Sequence, residues 1–270
     1  MTELSILFVN DINNEKLLTY FINDNEIKDY FKIHNFNGKK KEMLLVPKQY
    51  LKDSKDTLLI SISEISNDFD ACYLGAVART KINSECNITY ETGLVDFSQV
   101  ESFTLGMLLS GYKFDKYLSK KNDGEEITLD KSIVKSEQQV TRDAIFFVRD
   151  LVNTPTLDKT PEYFIDEVKK LIEDEDITLD IHNKEWLQKE GFGGVIGVSQ
   201  GSAKEPYLLV GEYNKSAKFK VSIIGKGVLF DTGGYSLKSP SGMETMKTDM
   251  AGAATAWGII KLAASFKLDI

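Results

Sequence analysis

Residues 223–258, IIGKGVLFDTGGYSLKSPSGMETMKTDMAGAATAWG, hold the pattern around which the rest of the chain is read. The apolar run at 221–224 reads as a buried strand. Gly225, Lys226 and Gly227 follow, then a second apolar run at 228–230 that ends on Asp231. Gly233 and Gly234 break this run, as glycines do where backbone must turn or approach something closely. Lys238 lies in the following loop, closed by Pro240 and Gly242, and Asp249 precedes Ala251, Gly252, Ala253 and Ala254, small residues that let a helix pack tightly. Charged groups at the ends of buried strands are costly unless they are paired or bind metal. Lys226, Asp231, Lys238 and Asp249 therefore leave two readings open on spacing alone: two buried ion pairs between ordinary turns, or a metal site.

The order of residues adds a resemblance. GKG, then FDTGG, then SLK, then MKTDMAG resembles, without a gap from Gly225 to Ala254, the metal-binding segment of the cytosolic leucine aminopeptidase family, the M17 metallopeptidases. The resemblance implies that Lys226 is a lysine metal ligand, Asp231 a carboxylate bridging two divalent ions, and Asp249 a further ligand of the lysine-bound ion. It implies that Lys238 is the catalytic lysine that polarises the scissile carbonyl. The implied cofactors are two divalent metal ions, Mn2+ or Zn2+, and the implied reaction is removal of N-terminal, leucine-type residues from peptides by a metal-bound hydroxide. In the family one ion also holds the substrate's free α-amine. The departures are mild: Thr232 stands where serine is commoner and Ala251 where glycine is.

A lysine ligand makes a physical demand, because only the neutral amine has a lone pair to give. Removing its proton at pH 7 costs about 4.6 kcal/mol from an ordinary pKa near 10.4. Burial and a neighbouring dication would have to supply that, and Lys226, set between two apolar runs, is expected to be buried. Lys238 has the opposite task and should stay charged near an oxyanion.

Composition narrows the classes. The chain has 270 residues, enough for two domains, and a net charge of −8, which argues against general affinity for nucleic acid or anionic membrane. No apolar run approaches the roughly 20 residues of a membrane helix. The N-terminus lacks the basic and apolar regions of a secretory signal, so a cytoplasmic location is expected. Cys72 and Cys86, the only cysteines, read as reduced thiols, which makes the Asn-x-Thr/Ser matches at Asn87 and Asn214 uninformative. His34 and His182 sit in no ligand-spaced cluster, so a histidine zinc site or a Ser-His-Asp triad has little support.

The expected fold class is α/β, with two α/β domains: by resemblance, an N-terminal macro-like domain at 1–135, a linker helix at 136–155, and an α/β-sandwich catalytic domain at 156–270. In the first, residues 4–9 and 58–62 read as strands and 72–77 as a possible third. Residues 101–117 show helical periodicity, with Phe103, Met107, Leu108 and Phe114 on one face, and resemble the helix closing the family's N-terminal domain. Residues 120–126 suit a charged surface loop. Residues 136–153 read as an amphipathic helix stopped by Asn153-Thr154-Pro155, and RDLVNTP resembles the family's interdomain linker. Thr160 should cap the next helix, with Pro161 at its first position and Phe164, Val168 and Leu171 turned inward. A strand is expected at 177–181, a short helix at 184–189, a glycine-rich turn, and strands near 207–211 and 219–224. This alternation implies an α/β layer sandwich. The glycines of GFGGVIGVSQG, residues 191–201, miss dinucleotide-binding spacing, with Ile196 at the third glycine position, and no Walker sequence precedes Lys226.

A second hallmark of the family, NTDAEGRL, brings the remaining ligands and an arginine, and nothing in these residues matches it. The resemblance therefore covers the N-terminal domain and the front half of the catalytic domain, and implies a truncated piece of a longer enzyme that is inactive alone. Peptide substrates and a homo-oligomer, a hexamer, are implied partners. A DNA-binding regulator or a catalytically inactive scaffold of the same family are the competing functions. The acidic charge weighs against the first.

Overall fold

The computed structural model describes residues 2–82, 86–91, 94–120 and 127–270. In chain order the elements are β1 (Thr2–Val9), α1 (Glu15–Leu18), α2 (Asp24–Ile33), β2 (Met43–Val46), β3 (Asp56–Ser61), α3 (Asp68–Thr80), β4 (Cys86–Glu91), α4 (Val100–Leu109), β5 (Ile127–Leu129), α5 (Ser136–Asn153), α6 (Pro161–Ile172), β6 (Ile177–His182), α7 (Lys184–Lys189), α8 (Gly193–Ser199), β7 (Leu208–Tyr213), α9 (Pro240–Glu244) and α10 (Ala251–Ser265). They divide into two units, Met1–Gln139 and Val140–Ile270.

The first unit is built on β1. Its strands lie in the order β2-β3-β1-β4-β5, with β1 parallel to both β3 and β4, β5 parallel to β4, and β2 antiparallel to β3. Successive side chains of a strand point to opposite faces. Leu4, Ile6 and Phe8 accordingly join one buried cluster with Ala71, Leu74 and Ala78 of α3 and Phe103 and Met107 of α4. Leu7 and Val9 join the other, with Leu17, Phe21, Ile27 and Phe31 around α1 and α2. A largely parallel sheet covered on both faces explains why β1 and β3 read as continuous apolar runs.

The second unit packs three helices against a two-stranded antiparallel sheet. Leu151 of α5, Phe164, Val168 and Ile172 of α6, and Ala254 and Trp257 of α10 form its core, with Ile177, Leu179 and Leu209 of the β6–β7 pair against them. Helix α6 starts as its sequence dictates: the Thr160 hydroxyl accepts from Tyr163 N–H at 3.2 Å, and Pro161 takes the first position. Gly211 faces Trp257, where a Cβ would come within 2.6 Å of the indole ring.

Several expectations are corrected. Residues 72–77 lie inside helix α3, not a strand. Asn67 caps that helix by accepting from Asp70 N–H at 2.8 Å, and its buried residues, Ala71, Leu74, Gly75 and Ala78, follow the helical period. The helix expected over 101–117 ends at Leu109, just before Ser110-Gly111, so Phe114 lies beyond it. The glycine-rich turn after α7 holds a helix of its own, α8; Gly191, at φ 78°, ends α7, and Phe192 N–H closes back on Leu187 O at 2.9 Å. Residues 219–224 form no strand among the described residues: Phe219 is 65% and Ile224 95% exposed. An apolar run becomes a strand only when another backbone supplies its hydrogen bonds. In the loop expected at 120–126, all but Lys120 lies outside the described residues.

Helices α3 and α4 touch backbone to backbone through two glycines. A Cβ on Gly75 would sit 1.9 Å from Phe103 O, and one on Gly106 would sit 1.8 Å from Cys72 O. Backbone cannot yield as a flexible side chain does, so Gly106→Ala should destabilise this unit by on the order of 3 kcal/mol, the upper end of overpacking costs. Urea denaturation followed by circular dichroism measures this; a loss below about 0.5 kcal/mol would mean that the helices can separate freely.

Candidate functional site

The site begins with Gly225. A Cβ there would fall 2.4 Å from both Ala253 Cα and Gly252 O, so only glycine lets this segment lie against the start of α10. Helix α10 has no side-chain N-cap. Instead Ala253 N–H donates to the Lys226 carbonyl at 2.9 Å, satisfying one of the donors that a helix start leaves open. Asp249 stands at the end of the 3-10 turn Met246–Thr248, two residues before α10. With both backbones held there, Lys226 Nζ comes 3.3 Å from Asp249 Oδ2.

Asp231 and Lys238 meet through the loop between them. Gly233, at φ 93°, turns the chain in a conformation that a side chain would strain. Lys238 N–H then donates to Thr232 O at 2.9 Å. The loop returns Lys238 Nζ onto Asp231 Oδ1, which also accepts from Gly233 N–H at 2.8 Å. Ser239-Pro240, read from sequence as part of a loop, opens helix α9: the Ser239 hydroxyl accepts from Gly242 N–H at 3.2 Å.

The four residues thus stand as two ion pairs, Lys226–Asp249 and Lys238–Asp231. The bond from Lys238 is the largest influence on the Asp231 carboxyl and holds it below the ordinary 3.8; the Gly233 N–H adds to this, as do the charges of Lys238 and Lys226. The charge of Lys226 therefore acts on both carboxylates, and the two pairs form one electrostatic group. The pairs are not buried. The Lys226 side chain is 62% exposed, against the expectation of burial, because the apolar runs flanking it are not sheet strands.

The donor set is chemically fit for a hard or borderline divalent ion, since it offers two carboxylates and one amine. Among the described residues no three His, Cys, Asp or Glu side chains gather to hold a metal, so any site here depends on the lysine. His34 lies against Tyr30, and His182 stacks on Trp186. Cys72 and Cys86 are free thiols.

Sequence reading missed two lysines that support the site. Lys159 is buried, and its Nζ donates to Leu151 O at 2.7 Å and to Lys247 O. Lys247 Nζ reaches back to Asn153 O at 3.3 Å. Nothing in the local pattern around Lys159 signals burial.

Residues 146–270 match the family model described as cytosol aminopeptidase family, catalytic domain. A protein of Sinorhizobium medicae named "Probable cytosol aminopeptidase" is 32% identical over 264 residues, which is 88% of this chain and 52% of that one. One of the same name from Rhizobium leguminosarum bv. trifolii is 40% identical over 184 residues, 62% of this chain and 37% of that one. The chain thus spans about half, or less, of the length of the curated relatives it matches. Among solved structures, the cytosol aminopeptidase from Coxiella burnetii has the same fold over 100% of this chain and 57% of its own, with a TM-score of 0.80 and 23% identity. The bottromycin maturation enzyme BotP in complex with Mn follows the fold with a TM-score of 0.77 at 19% identity, over 100% of this chain and 57% of its own.

The Lys238–Asp231 pair can be tested without any metal. The Asp231 carboxyl should titrate below 3.8, and Lys238→Met should move its midpoint up, read by carbon-13 NMR of the side chain. Because the shift is downward, the pair favours the folded state above the ordinary aspartate pKa. That contribution is lost as pH falls through the folded midpoint. An unmoved midpoint in the variant would show that the pair is not formed in solution.

Proposed function

Because residues 146–270 belong to the catalytic domain of the cytosol aminopeptidase family, we propose that this chain carries one part of the working site of a metal-dependent aminopeptidase. The observation that carries the reading is that Lys226 pairs with Asp249 beside the start of α10 and Lys238 with Asp231, while the charge of Lys226 also reaches Asp231. Stability does not account for it, since an exposed ion pair contributes at most about 1 kcal/mol.

Lys226, Asp249 and Asp231 would hold divalent metal, and a bound ion would supply charge stabilisation and water activation. Lys226 can donate its lone pair only after losing the proton that now faces Asp249, so binding should release a proton. Each carboxylate already has a lysine cation beside it. Asp231 would be the carboxylate that this loop offers to metal. Lys238, freed from Asp231, would present its ammonium to the oxygen of a scissile carbonyl, a fixed positive charge where negative charge develops. Peptides with free N-termini are the proposed substrates, Mn2+ or Zn2+ the proposed metals, and a homo-oligomer in the cytoplasm the proposed setting.

Among the described residues the donors nearly complete one ion's shell but offer only Asp231 to a second. Two adjacent dications repel unless several carboxylates offset their charge. Calorimetric titration of the 1–270 chain with Mn2+ should therefore show at most one weak site, tighter at higher pH, and Lys226→Met should abolish it; binding unchanged in that variant would remove the ligand assignment. The chain alone should not hydrolyse leucine p-nitroanilide. Fused to the C-terminal half of a relative's catalytic domain it should, and Lys238→Ala should lower kcat roughly 10²–10³-fold while metal stays bound. An unchanged kcat would make Lys238 an ordinary loop residue.

A further inference from the structure

Lys159 is 1% exposed, yet among the described residues no carboxylate comes within ion-pairing distance of it. Its two acceptors are carbonyls: Leu151 O in the last turn of α5, and Lys247 O in the turn that ends at Asp249. The last carbonyls of a helix have no partners within it and carry its negative end, so a lysine is favoured there. Burial is still costly for an ammonium, and it holds Lys159 down at about 8, with the charge of Lys247 adding to the effect. A methionine would fill similar space without that cost. Packing alone therefore does not explain a lysine here. A need for two hydrogen bonds that join separate segments does.

What the lysine joins is specific. Lys247 lies in the 3-10 turn Met246–Thr248. In the same turn Thr248 N–H donates to Thr245 O at 2.9 Å and Asp249 N–H to Met246 O at 3.2 Å. Lys247 Nζ donates to Asn153 O at 3.3 Å, so the turn and the helix end are tied in both directions. The Asp249 carboxylate leaves this turn toward Lys226. Lys247 bonds from a partly exposed position and Lys159 from a fully buried one.

We infer that Lys159 is a positioning residue: it staples the turn carrying Asp249 to the end of α5 and so sets the Asp249 carboxylate opposite Lys226. The inference rests on the reading of Asp249 as a metal-binding residue only for its consequence, not for the staple itself. The test separates the two. Hydrogen exchange of the 1–270 chain is compared with that of Lys159→Met, without metal. The Thr248 and Asp249 amides should exchange about 10-fold faster, as expected on losing a charge-assisted hydrogen bond, while amides of β6 and β7 keep their rates. Unchanged Thr248 and Asp249, or an equal rise across β6, β7 and the turn, would overturn the inference. Should the methionine variant fail to fold, Lys159→Gln serves: its side chain is one bond shorter, cannot span both carbonyls, and must show the same local rise. Mn2+ titration of each variant is the second arm. Affinity about 10-fold weaker than in the unaltered chain is expected, and equal affinity would overturn the positioning role. If the unaltered chain binds no Mn2+ while the local rise in exchange is present, the staple stands and the metal reading falls.

Discussion

The site depends on a backbone contact that tolerates no side chain. Gly225 lies against Gly252 and Ala253 at the start of α10, and the Lys226 carbonyl accepts the Ala253 N–H that the helix cannot use itself. This contact brings two stretches separated by more than 20 residues into register, and Lys226 and Asp249 then face each other without further adjustment. A methyl group on Gly225 would push the lysine-bearing segment off the helix and part the pair. The helix start gains a partner for an open donor, and the lysine-bearing segment is held against the helix.

The arrangement also settles how four charges coexist on a small area. Each aspartate has one lysine, and the charge of Lys226 reaches Asp231 as well as Asp249. The group is nearly neutral without metal, and so avoids the repulsion that two unpaired carboxylates would feel. A cation arriving here competes with lysines and need not fill an empty anionic hole. That makes any binding dependent on protons, and weak unless further oxygen donors are present. Support comes from below: Lys159 and Lys247 hold the Asp249 turn through main-chain carbonyls, leaving the aspartate side chain free to face Lys226.

Much of this was legible in sequence because it is local. The Thr160-Pro161 start of α6, the 18-residue amphipathic helix α5 and the apolar centre strands of the first sheet rest on short-range signals, and they appear where those signals put them. Two ion pairs were one of the readings that the spacing of Lys226, Asp231, Lys238 and Asp249 left open, but their exposure was not legible, because the runs flanking Lys226 read as buried strands. What was not legible is non-local. The run at 219–224 has strand propensity, but a strand also needs a neighbouring backbone, which sequence cannot supply. The run at 72–77 is apolar enough for a strand, and only the cap at Asn67 and the spacing of Ala71, Leu74 and Ala78 mark it as helix. Lys159 looks like any surface lysine before a helix cap; its burial follows from how α5 and the 246–249 turn meet in the second unit.

The central claim is that Lys226, with Asp249, is a cation-binding pair and not only an ion pair. Anomalous diffraction from crystals of the 1–270 chain soaked in Mn2+ tests it most directly. The account predicts one manganese peak within bonding reach of Lys226 Nζ and the Asp249 carboxylate, with the direct contact between those two side chains replaced by contacts to the metal. An intact Lys226–Asp249 pair with manganese bound elsewhere, or nowhere, would contradict it.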